Sequence, residues 1–229
     1  MFYMDSTMLL LIPGLLLSML ASFWVRSAYS KYAKIATRAG ATAAQVAERM
    51  LRQGGADDVR IERVSGELSD HYDPRDRVLR LSDGVYGSTS IAALGIAAHE
   101  CGHALQHHEE YAALSLRTAI VPTVSITSNM AMPLFFLGLV LSWEPLLWIG
   151  ILCFTAAVMF SLITLPVEFN TSGRALRALQ ADGYLTDEEN AGAKKVLNAA
   201  AMTYVAAALS ALLQLARLLL LGNSSRRRN

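Results

Sequence analysis

Four stretches of this chain contain no Lys, Arg, Asp or Glu: Ser6 to Val25, Thr118 to Trp143, Pro145 to Val167 and Val196 to Ala216. Each is close to the ~20 residues that an α-helix needs to cross a bilayer core. In hydrocarbon every backbone N–H and C=O must pair internally, so the four are expected to be helices. A soluble fold would have to bury all four as core helices, and too few residues remain to cover them. Composition points the same way. Hydrophobic residues make up 53% and charged residues 17%, against about a quarter charged in soluble domains. The flank before the first stretch, MFYMDST, has no basic residue, and the apolar run exceeds the ~7–15 residues of a signal sequence. A retained anchor is expected there, with Pro13 and Gly14 inside it.

The expected division follows: an anchor at 1–25, a large polar region at 26–117, a membrane hairpin at 118–167, a second polar segment at 168–195, and a last span with a basic tail at 196–229. Four spans place both polar segments on one side. Twelve of the chain's 20 Lys and Arg fall between Arg26 and Arg117, and Arg174, Arg177, Lys194 and Lys195 add to that side. The positive-inside bias makes it cytoplasmic. Arg226, Arg227 and Arg228 argue the other way and are outnumbered. No basic patch interleaved with aromatics is present, so nucleic acid is not an expected partner. The two cysteines, Cys101 and Cys153, suggest no disulfide framework.

Within the polar regions, Thr42-Ala-Ala-Gln45 reads as a capping box that opens a helix, and Gly54-Gly55 closes it. Thr186-Asp-Glu-Glu189 reads as a second box, after Gly183. Two β-like runs, Val59 to Val64 and Val78 to Leu81, flank the polar DHYDPRD segment. They are expected to form a hairpin with one covered face.

Four of the five histidines lie in AAHECGHALQHH, residues 97–108. His99, Glu100 and His103 make the spacing H-E-x-x-H. On a helix, residues four apart share a face, so both imidazoles can grip one ion. Glu100 sits about 100° round the helix, where it reaches a water activated by the metal rather than the metal itself. Zinc suits such ligands. Ser88 and Ser90 are candidate caps for this helix. Gly95, Ala98 and Gly102 make a small-residue stripe where another backbone can come close. Cys101 points away from the histidine face, as a small buried residue. His107 and His108 read as incidental. The extended pattern with a third histidine needs Gly at 106 and His at 109, where this chain has Gln106 and Glu109. The third ligand must come from elsewhere. Glu168, after Leu165-Pro166-Val167, leads, with Glu109, Glu110, Asp182 and Glu188 as rivals.

With these residues in place, the chain resembles the YugP-type family of zinc-dependent membrane peptidases, with the layout of HtpX-like gluzincins. The matching blocks are DHYDPR (70–75), LRLSDGVYGSTSIAALGIAAHECGHALQH (79–107), LPVEFNTSGRAL (165–176) and KVLNAAAMTYVAAALSALLQLARLLLL (195–221). The resemblance implies one Zn2+ per chain held by His99, His103 and Glu168, with Glu100 as the catalytic base. The gluzincin pattern often has Asp four residues after the ligand Glu; here that position is Ser172, which leaves Asn170 or Ser172 to orient ligands. The expected fold is mostly α: a polytopic membrane protein with about four transmembrane helices and a small cytoplasmic α+β zincin-like metalloprotease domain.

The expected activity is a metalloendopeptidase acting on polypeptides, chiefly membrane proteins, near the cytoplasmic surface of the lipid bilayer. Substrate backbone is expected to pair with Val78 to Leu81, and Tyr204, His71 and Tyr72 are candidate oxyanion donors. Two other classes compete. A zinc-stabilised scaffold would need no Glu100, and a channel or transporter would carry ionisable groups within its spans. Oligomeric state and cleavage preference have no signature in the sequence.

Overall fold

The computed structural model describes residues 6–226. Residues 1–5 of the N-terminal flank, together with Arg227 and Arg228 of the basic tail, lie outside the described residues. The protein is mostly helical, with a small three-stranded sheet. Among the described residues, four helices are long and apolar enough to cross a membrane: Ser6–Tyr32, Ala112–Val140, Glu144–Ala181 and Asp187–Ser224. The chain forms two compact units, and the boundaries fall within these long helices.

The first unit comprises residues up to 22, 116–166 and 202 onward. It contains the first half of α1 (Ile12–Tyr32), most of α5 (Ala112–Val140) and of α6 (Glu144–Ala181), and the latter part of α7 (Asp187–Arg226). Its internal cluster is small: Phe135, Leu147, Ile151 and Leu218. Glycines set the helix spacing. A Cβ on Gly150 would lie 2.5 Å from Phe135 N and 2.8 Å from Ala131 O, so α5 and α6 touch almost backbone to backbone. Large apolar side chains such as Leu15, Ile126, Val140 and Leu152 face outward, as suits helices whose surroundings are lipid.

The second unit comprises residues 23–115 and 167–201. It holds α2 (Ala43–Gln53), β1 (Arg60–Val64), β2 (His71–Asp73), β3 (Val78–Ser82), α3 (Asp83–Tyr86) and α4 (Ile91–His108). Both capping boxes form. Gln45 N donates to Thr42 Oγ1 at 3.3 Å and Thr42 N to Gln45 Oε1 at 3.0 Å. Glu189 N donates to Thr186 Oγ1 at 3.3 Å, and Thr186 N to Glu189 Oε2 at 2.8 Å. Each pair satisfies two helix-end donors reciprocally. Gly55 and Gly183 take positive φ, of 76° and 72°, just past α2 and α6, a conformation that only glycine adopts at no steric cost.

The two β-like runs do not form a hairpin with each other. β1 pairs parallel with β3, and β2 pairs antiparallel with β3, in the order β1-β3-β2. The reason lies in the DHYDPRD segment. Asp73 Oδ1 accepts from Arg75 N at 2.9 Å and folds Asp73-Pro74 into a turn, so His71 to Asp73 returns onto Val78 to Arg80. Asp70 anchors the other end, accepting from Ser82 N at 2.7 Å and Ser82 Oγ at 2.9 Å. One side of β3 is thereby taken, and β1 occupies the other. Both faces of β3 are covered as well: Val78, Leu79, Leu81 and Ser82 are all buried.

Helix α4 packs into the core of this unit, and its first half, residues 91–98, is apolar all round, as a buried helix should be. Ile91, Ala92, Ala93, Leu94, Ala97, Ala98, Cys101 and Ala104 belong to one core with Val46, Met50, Leu51, Leu79, Leu81, Leu179 and Leu197. Ser90 caps it, accepting from Ala93 N at 3.2 Å.

Candidate metal centre

His99 and His103 stand one turn apart on α4, with ring centroids 4.9 Å apart. They are 14% and 13% exposed, so both rings are largely shielded from bulk water. Opposite them, α6 presents Glu168, Thr171 and Ser172 on one face, since residues three and four apart are helix neighbours. What lets α6 come so close is Gly102. A Cβ there would lie 2.7 Å from Thr171 Cγ2 and 3.2 Å from Thr171 O. The small-residue stripe read from the sequence thus meets α6 at Gly102, and α7 at Gly95, where an added Cβ would sit 3.5 Å from Ala193 Cβ.

The approach carries Glu168, 2% exposed, up to both rings. Its Oε2 lies 3.3 Å from His99 Nε2 and 3.6 Å from His103 Nε2. All three ligand atoms lie within 4.8 Å of one another, and this is the one group of its kind found among the described residues. A tetrahedral zinc with bonds of about 2.0–2.1 Å holds neighbouring ligand atoms about 3.3 Å apart. Two imidazoles and one carboxylate at these separations fit that ion, and three protein ligands leave a position open.

The far nitrogens of the two rings are engaged as well. Ser172 Oγ lies 3.1 Å from His99 Nδ1. Thr171 Oγ1 and Gln106 Oε1 lie 3.3 and 3.2 Å from His103 Nδ1. Gln106 is fully buried, and its Nε2 donates to Val167 O at 3.1 Å and Asn170 Oδ1 at 3.0 Å. Sequence reasoning weighed Asn170 and Ser172 as orienting groups. It missed Thr171, and read Gln106 only as a departure from another motif. The available signal was the i, i+3 spacing of Gln106 from His103 on the histidine face.

Glu100 follows His99 on α4 and is partly buried. Burial is the main cause that pushes its carboxyl above the ordinary carboxylate range, with the Glu168 charge adding to it. Cys101 is fully buried and donates to Ala47 O at 3.6 Å, off the histidine face. Burial also pushes its thiol up. Of the rival acids, Glu109 pairs with Arg174.

The remaining candidates are dispersed. Tyr72, on β2, has its hydroxyl 2.8 Å from His107 Nδ1, and burial raises its pKa. His71 is exposed, its Nδ1 2.8 Å from Ser69 O. Tyr204 falls in the other unit. The expected pairing of substrate with Val78 to Leu81 does not hold, because β3 is hydrogen-bonded on both edges.

Comparison with known proteins agrees with the metal chemistry. The chain is 48% identical, over 220 residues, to a protein of Bacillus subtilis (strain 168) described as "Putative membrane protease YugP", covering 96% of this chain and 98% of that relative. No solved structure matches. Residues 7–223 match the family described as "Putative neutral zinc metallopeptidase", and the chain belongs to that family.

Proposed function

We propose that the protein is a membrane-embedded zinc metalloendopeptidase that cuts membrane or membrane-associated polypeptides near the cytoplasmic surface. The observation that carries this reading is the convergence of His99 Nε2, His103 Nε2 and Glu168 Oε2. These three side chains would hold the zinc, with Glu100 beside them as general base. When bound, zinc supplies Lewis acidity toward a carbonyl oxygen and acidifies water.

The chain's own groups do the rest. Glu100 takes a proton from the attacking water and delivers it to the leaving amine nitrogen. The 0% exposure of Ala98 and Cys101, flanking the His99–Glu100 pair, keeps water out from behind the site. An extended substrate finds β3 closed, so β2 is the strand that offers a free edge beside α4. The surface location is inferred from the sequence: the charge-free run of α6 ends at Val167, immediately before Glu168, and 16 of the chain's 20 Lys and Arg fall in the two polar segments.

The test is Glu100→Gln in the full-length protein, with bound zinc measured by atomic emission and cleavage followed on a tagged membrane substrate. Zinc should stay at the parent level while cleavage falls by at least ~100-fold. Cleavage at the parent rate would remove Glu100 from the mechanism.

A further inference from the structure

Gln106 is 0% exposed and lies three residues after His103 on α4. A buried amide of this kind is held by its partners, and here the partners decide which end is which. The atom facing Val167 O must be the NH2 group, because a main-chain carbonyl only accepts. Asn170 Oδ1 accepts from the same nitrogen. The other end of Gln106 is therefore an oxygen, 3.2 Å from His103 Nδ1. An amide oxygen cannot donate, so the proton of this contact belongs to Nδ1. A neutral imidazole with its proton on Nδ1 has its lone pair on Nε2, the nitrogen that faces Glu168.

We infer that Gln106 is a positioning residue, which fixes His103 as the Nδ1–H tautomer and so readies Nε2 to bind the metal. The inference rests on the proposed ligand role of His103. The neighbouring hydroxyls have no such power. Thr171 Oγ1, 3.3 Å from His103 Nδ1, and Ser172 Oγ, 3.1 Å from His99 Nδ1, can each donate or accept. Of these three groups, only the Gln106 oxygen imposes a proton position. Because its nitrogen is tied to Val167 and Asn170, the setting is made by α6, the helix that also brings Glu168.

The test measures zinc dissociation constants of the full-length protein in detergent, by competition with a chromophoric chelator. Gln106→Met keeps the volume and removes both hydrogen-bonding ends, and should weaken zinc by ~10–100-fold. Gln106→Glu, as the neutral acid, can still donate to Val167 and offer an oxygen to His103, and should recover part of the loss. His103→Ala separates the two readings. If it weakens zinc strongly while Gln106→Met binds like the parent, the tautomer role is overturned. If His103→Ala itself binds like the parent, the ligand reading falls, and this inference with it. A purely structural role would lower the melting temperature of Gln106→Met but leave the ring proton in place. Nitrogen NMR of metal-free parent protein with labelled histidine, at a pH where the ring is neutral, reads that proton directly, even where Gln106→Met does not fold. A His103 ring protonated on Nε2 overturns the inference.

Discussion

Replacing Gly102 by Ala adds one methyl group between α4 and α6. The added Cβ would sit 2.7 Å from Thr171 Cγ2 and 3.2 Å from Thr171 O. Carbon atoms prefer separations of ~3.5–4.0 Å, so the helices must part by about 1 Å. Local helix propensity favours Ala by ~1 kcal/mol, whereas overpacking costs ~1–3 kcal/mol. Stability should therefore fall by no more than about 2 kcal/mol.

The site is far less tolerant. Metal sites hold their ligand distances to about 0.2 Å, and Glu168 sits one turn from Thr171 on the displaced helix. Zinc affinity should drop by ~10-fold or more, with a thermal melt only slightly below the parent. Gly95→Ala is the control. Its Cβ would lie 3.5 Å from Ala193 Cβ, in ordinary contact, so zinc binding should not change. Thr171→Ser in the Gly102→Ala background removes the closest clashing atom and should restore part of the affinity. Chelator competition measures all four proteins. A Gly102→Ala variant that binds zinc like the parent would refute the claim that close helix approach builds the site.

Other substitutions probe separate parts of the structure. Glu168→Gln keeps the side-chain shape but removes the negative charge 3.3 Å from His99 Nε2, and should lower zinc affinity by at least ~10-fold in the same assay. Thr42→Ala removes one half of a capping box and should cost about 1 kcal/mol in a denaturation experiment, leaving zinc binding unchanged. Asp73 is held below the ordinary carboxylate range, first by Arg75 N–H and then by Arg80. A depressed folded-state pKa gives stability that is complete above the ordinary value of about 3.9 and lost as pH falls through the lowered one. Asp73→Asn should therefore be less stable than the parent near neutrality, and the gap should narrow in melts recorded at progressively lower pH.

Local features were the legible ones. The Thr42 and Thr186 boxes, the Ser90 cap and the turn spacing of His99 and His103 depend on residues at most four apart, so the chain itself displays them. The role of the glycine stripe was legible as a kind of contact, and the structure supplies the partners, Thr171 and Ala193. Strand pairing was not legible, because alternation in Val78 to Leu81 says which residues face inward and nothing about which strand lies alongside. Two adjacent strands suggest a hairpin until the Asp73-Pro74 turn claims one edge. Gln106 escaped for a related reason. Its amide matters through Val167 and Asn170, which lie more than sixty positions later in the chain.

The seclusion of Cys101 has a consequence for durability. A sulfur between two zinc-ligand candidates could have been the weak point of such a centre, open to oxidation or to capturing the ion in a thiolate grip. With no exposed surface and its thiol pushed up by burial, it is kept as S–H, and only the deprotonated form does either. Peroxide or an alkylating agent should find nothing to attack at that position while the fold stays closed.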